Sequence, residues 1–86
     1  MEFPITAQRT QRLLQSTGWQ PCDMRKAVND HLLRKKSYTT FYYYRDGKIR
    51  PDMDMLGRLL ERVPAGDPLG EWARDVLAGE YGELVG

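Results

Sequence analysis

The chain has 86 residues, room for one domain. Its formal charge is +1 and its apolar fraction 41%, which together argue against a disordered acidic or basic tail. A single cysteine, Cys22, excludes an internal disulfide framework, and no apolar run reaches the roughly 20 residues of a membrane span. With no apolar stretch of signal-peptide kind near its start, the chain is expected to be soluble and cytoplasmic.

The spacing of apolar residues predicts an all-α domain of about five short helices and no strand. The first covers about Ala7 to Ser16, with Thr6 as its cap, Ala7, Thr10, Leu13 and Leu14 on one face, and Gly18 as its stop. The second begins at Pro21, a residue suited to a first turn because it has no amide to leave unpaired. Asp23 follows in that turn, and Met24, Ala27, Val28 and Leu32 line one face. Its end is open on the sequence alone, either near Asn29–Asp30 or as far as Lys35. The third lies within SYTTFYYYRDGK, capped by Ser37 and stopped by Asp46-Gly47. Threonine and aromatic residues favour strands, but no partner strand lies nearby and helical neighbours flank the segment. Phe41 and Tyr44 are expected to face the core, leaving Tyr38, Tyr42 and Tyr43 exposed. The fourth follows Pro51 with Asp52 as cap and a stripe of Met55, Leu56, Leu59, Leu60 and Val63. Pro64-Ala65-Gly66 breaks the chain, and Asp67-Pro68 starts a fifth helix bearing Leu69, Trp72, Ala73, Val76 and Leu77, with Gly79 as its expected end.

Charge is unevenly placed. Residues 25–50 carry eight basic side chains against two acidic, and residues 51–86 carry three against eight. A basic segment on an otherwise neutral domain suits a binder of the phosphate backbone. Within 37–60, SYTTFYYYRDGKIRPDMDMLGRLL, the positions of Ser37, Thr40, Phe41, Tyr44, Gly47, Lys48, Pro51, Leu56 and Leu59 stand out. That pattern resembles the second half of the helix-turn-helix of the Cro/repressor (Xre-type) family. In length the chain is most similar to its small single-domain phage immunity repressors of the C type. The resemblance covers about a third of the chain. It implies a lambda-repressor-like bundle whose third helix enters the major groove. Tyr38, Thr39 and Tyr43 would then read bases, Ser37 and Thr40 would lie near phosphates, and Lys48 and Arg50 would meet the backbone. Lys35 and Lys36 join this DNA-binding set from the basic connection before the helix. The family's apolar residue, alanine and turn glycine would fall at Asp30, His31 and Lys35, so either the connection between helices two and three is longer here or helix two is. Arg45 stands near the family's glutamate.

On this reading the chain is a phage- or prophage-encoded transcriptional repressor that binds an inverted-repeat operator as a homodimer. Residues 1–66 would form the DNA-binding core of the single domain. Residues 67–86 would add a C-terminal helix and tail whose Leu69, Trp72, Val76, Leu77 and Tyr81, with Leu84 and Val85, supply the dimer interface. The alternatives are a protein–protein inhibitor or antitoxin-like module using the tyrosine-rich face, and an excisionase-like architectural DNA-binding factor. The expected partners are double-stranded DNA and a second copy, with no membrane and no small-molecule ligand. His31 has no second histidine, so no metal is expected. Asp52 and Asp54 read as first-turn residues of a helix, Trp19 and Trp72 as core anchors. With no phosphate loop, nucleophile–base set or nucleotide fingerprint, neither enzymatic activity nor a cofactor is expected.

Overall fold

A computed structural model describes residues 2–64 and 66–82. It contains α1 (Pro4–Thr17), α2 (Pro21–Asn29), α3 (Tyr38–Asp46), α4 (Met53–Arg62) and α5 (Pro68–Tyr81), and the described residues contain no strand. The all-α expectation holds, including a helix for the strand-favouring TTFYYY. No helix among the described residues is long and apolar enough to cross a membrane.

Local chemistry explains most boundaries. Gly18 and Gly47 take left-handed conformations, φ 76° and 71°, and end α1 and α3. Asp52 and Asp67 cap α4 and α5, accepting from the Met55 and Leu69 amides. Gln20 and Asp23 close a capping box at the head of α2.

Two boundaries differ from expectation. Thr6 is not a cap. α1 starts earlier, at Pro4, and Thr6 is fully buried inside it. The Thr6 amide donates to the Glu80 carboxylate at 3.2 Å, so the last turn of α5 serves the first turn of α1. Gly79 does not end α5, which continues to Tyr81 and stops at Gly82, φ 68°. Glycine is needed at 79 for space, because a Cβ there would run into Ile5 of α1.

The open question at the end of α2 is answered by Asn29. Its buried side chain donates to the Lys36 carbonyl and accepts from the Lys36 amide, both at 2.9 Å, and holds residues 30–37 as an ordered connection. The helix therefore ends at Asn29, the earlier of the two ends the sequence left open.

A single core joins all five helices. Leu13, Met24, Val28, Phe41, Leu56, Leu59 and Val76 lie at its centre. Tyr44 packs edge-on against Phe41 with ring centroids 5.3 Å apart. The Trp72 indole donates to the Thr10 hydroxyl at 3.0 Å, a buried polar contact between α5 and α1.

This core corrects the expected dimer interface. Leu69, Trp72, Val76 and Leu77 are 0–8% exposed and pack inside the monomer. Tyr81 is partly buried and donates its hydroxyl to the Pro51 carbonyl at 2.6 Å. A chain this short needs the whole apolar stripe of α5 to close its own core, which leaves none of it for a second copy. α5 is thus integral to the domain rather than an addition to residues 1–66. Leu84 and Val85 lie outside the described residues.

Candidate nucleic-acid interface

α3 is firmly seated. Phe41 and Tyr44 anchor one side, at 0% and 2% exposure. Its C-terminal end is tied to the chain's start, with the Phe3 amide donating to the Gly47 carbonyl at 3.0 Å and the Gln11 amide group to the Arg45 carbonyl at 2.9 Å. Burial pushes the Tyr44 phenol well above its usual range, so it stays protonated.

The opposite side faces solvent. Tyr38 is 58% exposed and Tyr43 41%, with Thr39 and Tyr42 exposed beside them. Tyr38 and Tyr42 meet edge-on with centroids 6.1 Å apart. The Lys48 ammonium lies 5.7 Å from the Tyr43 ring centre, and the Arg45 guanidinium 4.9 Å from that of Tyr42. Arg45 also pairs with Asp46 at 3.1 Å. The face therefore offers phenols, a threonine and rings flanked by cations.

At the head of α3, Ser37 occupies the capping position, yet its side chain makes no cap bond. Its hydroxyl lies 3.3 Å from that of Thr40 instead. The first-turn amides of Tyr38 and Thr39 thus lack a side-chain acceptor from the cap, and the positive end of the helix dipole points outward there.

Of the expected DNA-binding residues, the structure places Thr39 and Tyr43 on the exposed face of α3 with Lys48 against Tyr43 and Tyr38 at the edge of that face, while Ser37 and the half-buried Thr40 pair at the helix head. Three others have work inside the fold. The Lys35 ammonium donates to the Asn29 and Leu32 carbonyls, where it caps the end of α2. Lys36 pairs with Asp52 at 3.2 Å. Arg50 donates to the Glu80 carbonyl at 2.9 Å and lies 4.1 Å over the Tyr81 ring. Partial burial pushes the Asp52 carboxyl up, but the Met55 amide and the Lys36 ammonium outweigh it and hold the group below the usual aspartate range.

Two exposed residues in the connection between α2 and α3 were not singled out by sequence reasoning. Arg34 projects from the connection before α3, and Leu33 next to it is 83% exposed. Arg34 was visible as part of the basic run. Nothing in the sequence marked Leu33 as the outward member of the Leu32-Leu33 pair.

No protein-family model, no curated protein and no solved structure matches this chain.

Proposed function

We propose that this chain is a sequence-specific DNA-binding regulator of transcription that lays the exposed face of α3 in the major groove. The observation that carries the reading is the division of α3. One side is locked into the core by Phe41 and Tyr44, while the other presents Tyr38, Thr39 and Tyr43 beside Lys48. A B-DNA major groove, about 12 Å wide, accepts one α-helix, and residues near the helix N-terminus reach base edges first. Phenols and hydroxyls donate to phosphate oxygens, and lysine neutralises them. The uncapped first turn of α3 adds amides suited to one phosphate.

The face carries little for bidentate base recognition. It has no asparagine or glutamine, and Arg45 is occupied by Asp46 and Tyr42. Readout therefore falls to single hydrogen bonds from the phenols and to apolar contact of rings and the Thr39 methyl with thymine methyl groups.

The test is fluorescence anisotropy of a labelled random duplex, titrated with the full chain at low and at physiological salt. Binding that weakens steeply with salt, by a log–log slope of several units, supports the reading. Absence of binding at low salt overturns it and favours the protein–protein alternative.

A further inference from the structure

The residues of α3, YTTFYYYRD, leave it without the side chains that name single bases. Adenine is named by an amide, guanine by a free arginine or lysine, and the amino group of cytosine by a free carboxylate. α3 has no amide. Its one carboxylate, Asp46, and its one cation, Arg45, hold each other at 3.1 Å. Lys48, just beyond the helix, leans on the Tyr43 ring. What stands outward is Thr39 and Tyr43, one helical turn apart, with Tyr38 and Tyr42 next to them.

The chemistry of these groups decides which base pairs they can tell apart. A hydroxyl donates one hydrogen bond and also accepts. It can donate to O4 of thymine and accept from the N4 amino group of cytosine. It can donate to N7, which adenine and guanine both carry. Hydroxyls therefore do not separate T·A from C·G. The aromatic rings and the Thr39 methyl do separate them, because thymine alone of the ordinary bases shows a C5 methyl group in the major groove. Covering that methyl is favourable, and cytosine leaves a gap in its place. The gap does not close easily. Phe41 and Tyr44 fix the helix in the core, Tyr38 and Tyr42 brace each other edge-on, and Lys48 lies against Tyr43.

We infer that α3 reads C5-methylated pyrimidines as one class, taking 5-methylcytosine·guanine and thymine·adenine pairs alike and discriminating against unmethylated cytosine. 5-Methylcytosine carries the methyl where thymine does, opposite a purine with the same N7. Its N4 amino group replaces O4, and a phenol serves either. Methylation of cytosine at a contacted position thus converts a weak site into a strong one. The inference rests on the DNA-binding reading and names the bases that its face selects.

The test starts from a duplex selected by the full chain out of a random library. Contacted thymines are those at which uracil weakens binding. At each, the T·A pair is replaced by 5-methylcytosine·guanine or by C·G, and affinity is measured by fluorescence anisotropy. The methylated pair should keep affinity within about twofold, and C·G should weaken it about fivefold per methyl lost. The two duplexes should share one salt slope, because the phosphates engaged are the same. Thr39→Ser, which removes the side-chain methyl, and Tyr43→Ala, which removes a ring, should each bring the ratio of methylated to unmethylated affinity towards one at the pair they touch. A duplex indifferent to uracil throughout, or one that binds equally with cytosine and 5-methylcytosine, overturns the inference and leaves the DNA-binding reading standing. A methyl preference that survives both variants also overturns it, since the preference then comes from the stiffness of methylated DNA. Failure to bind any duplex at low salt overturns both readings together.

Discussion

Replacing Gly79 with alanine should destabilise this protein, although alanine is the better helix former. The gain in helix propensity is about 1 kcal/mol. Against it stands Ile5, whose Cβ, Cγ1 and Cγ2 all crowd the place a new methyl would take, with Cβ and Cγ1 each at 3.1 Å. Rotation of Ile5 relieves only the closest contact, since its Cβ and a second γ position remain at 3.1 Å. A β-branched side chain fills two of the three staggered γ positions, so every rotamer leaves at least one γ carbon on the crowded side. The first turn of α1 must therefore move away from α5, which also strains the Thr6 amide's bond to Glu80. Overpacking of this kind costs about 1–3 kcal/mol. The net loss is then about 1 kcal/mol, a fall in melting temperature of about 4–8 °C for a domain this size. Thermal unfolding followed by circular dichroism measures it, with Gly57→Ala in α4, where a Cβ meets nothing within 4 Å, as the control of opposite sign. A Gly79→Ala chain as stable as wild type or more so would refute the packing argument.

The charged groups give three further expectations. Asp52 has its carboxyl held low, so its contribution to stability is fully present above the ordinary aspartate range and is lost as pH falls through its lowered value. Unfolding curves should show stability declining below about pH 4, and Asp52→Asn should flatten that decline. Lys48→Ala should reduce the log–log salt slope of DNA binding by about one unit without changing the melting temperature. Arg50→Ala should do the reverse, lowering stability while leaving the slope alone, because its guanidinium is engaged with Glu80 and Tyr81; equal loss of slope in both variants would sink the distinction. On the preferred duplex, replacing thymine with uracil at contacted positions should weaken binding about fivefold per methyl removed, and unchanged affinity would rule out methyl contacts by the Tyr38–Tyr43 face.

Much of the architecture was legible because its signals are local. Asp52, Asp67, Pro21 and Gly47 act on the turns in which they stand, and their roles follow from residue type. The inward turn of Phe41 and Tyr44, with Tyr38, Tyr42 and Tyr43 outward, follows from helical spacing. What the sequence hid depends on groups brought together from afar. Gly79 read as a stop because Ile5, its reason, lies 74 residues away in the chain. The stripe on α5 announced that it would be buried, but not whether against its own core or another copy. Lys36 and Arg50 counted equally with Lys48 in the basic segment. Only the fold commits them to Asp52, Glu80 and Tyr81 and leaves Lys48 beside Tyr43 at the surface.

The most direct measurement of the central claim is an NMR titration of the isotopically labelled chain with duplex DNA, following every backbone amide. The account predicts that the largest shifts cluster at residues 37–43 and at Lys48, with α5 little affected. Shifts centred on another surface, or no shifts at low salt, would contradict the assignment of α3 as a DNA-reading helix.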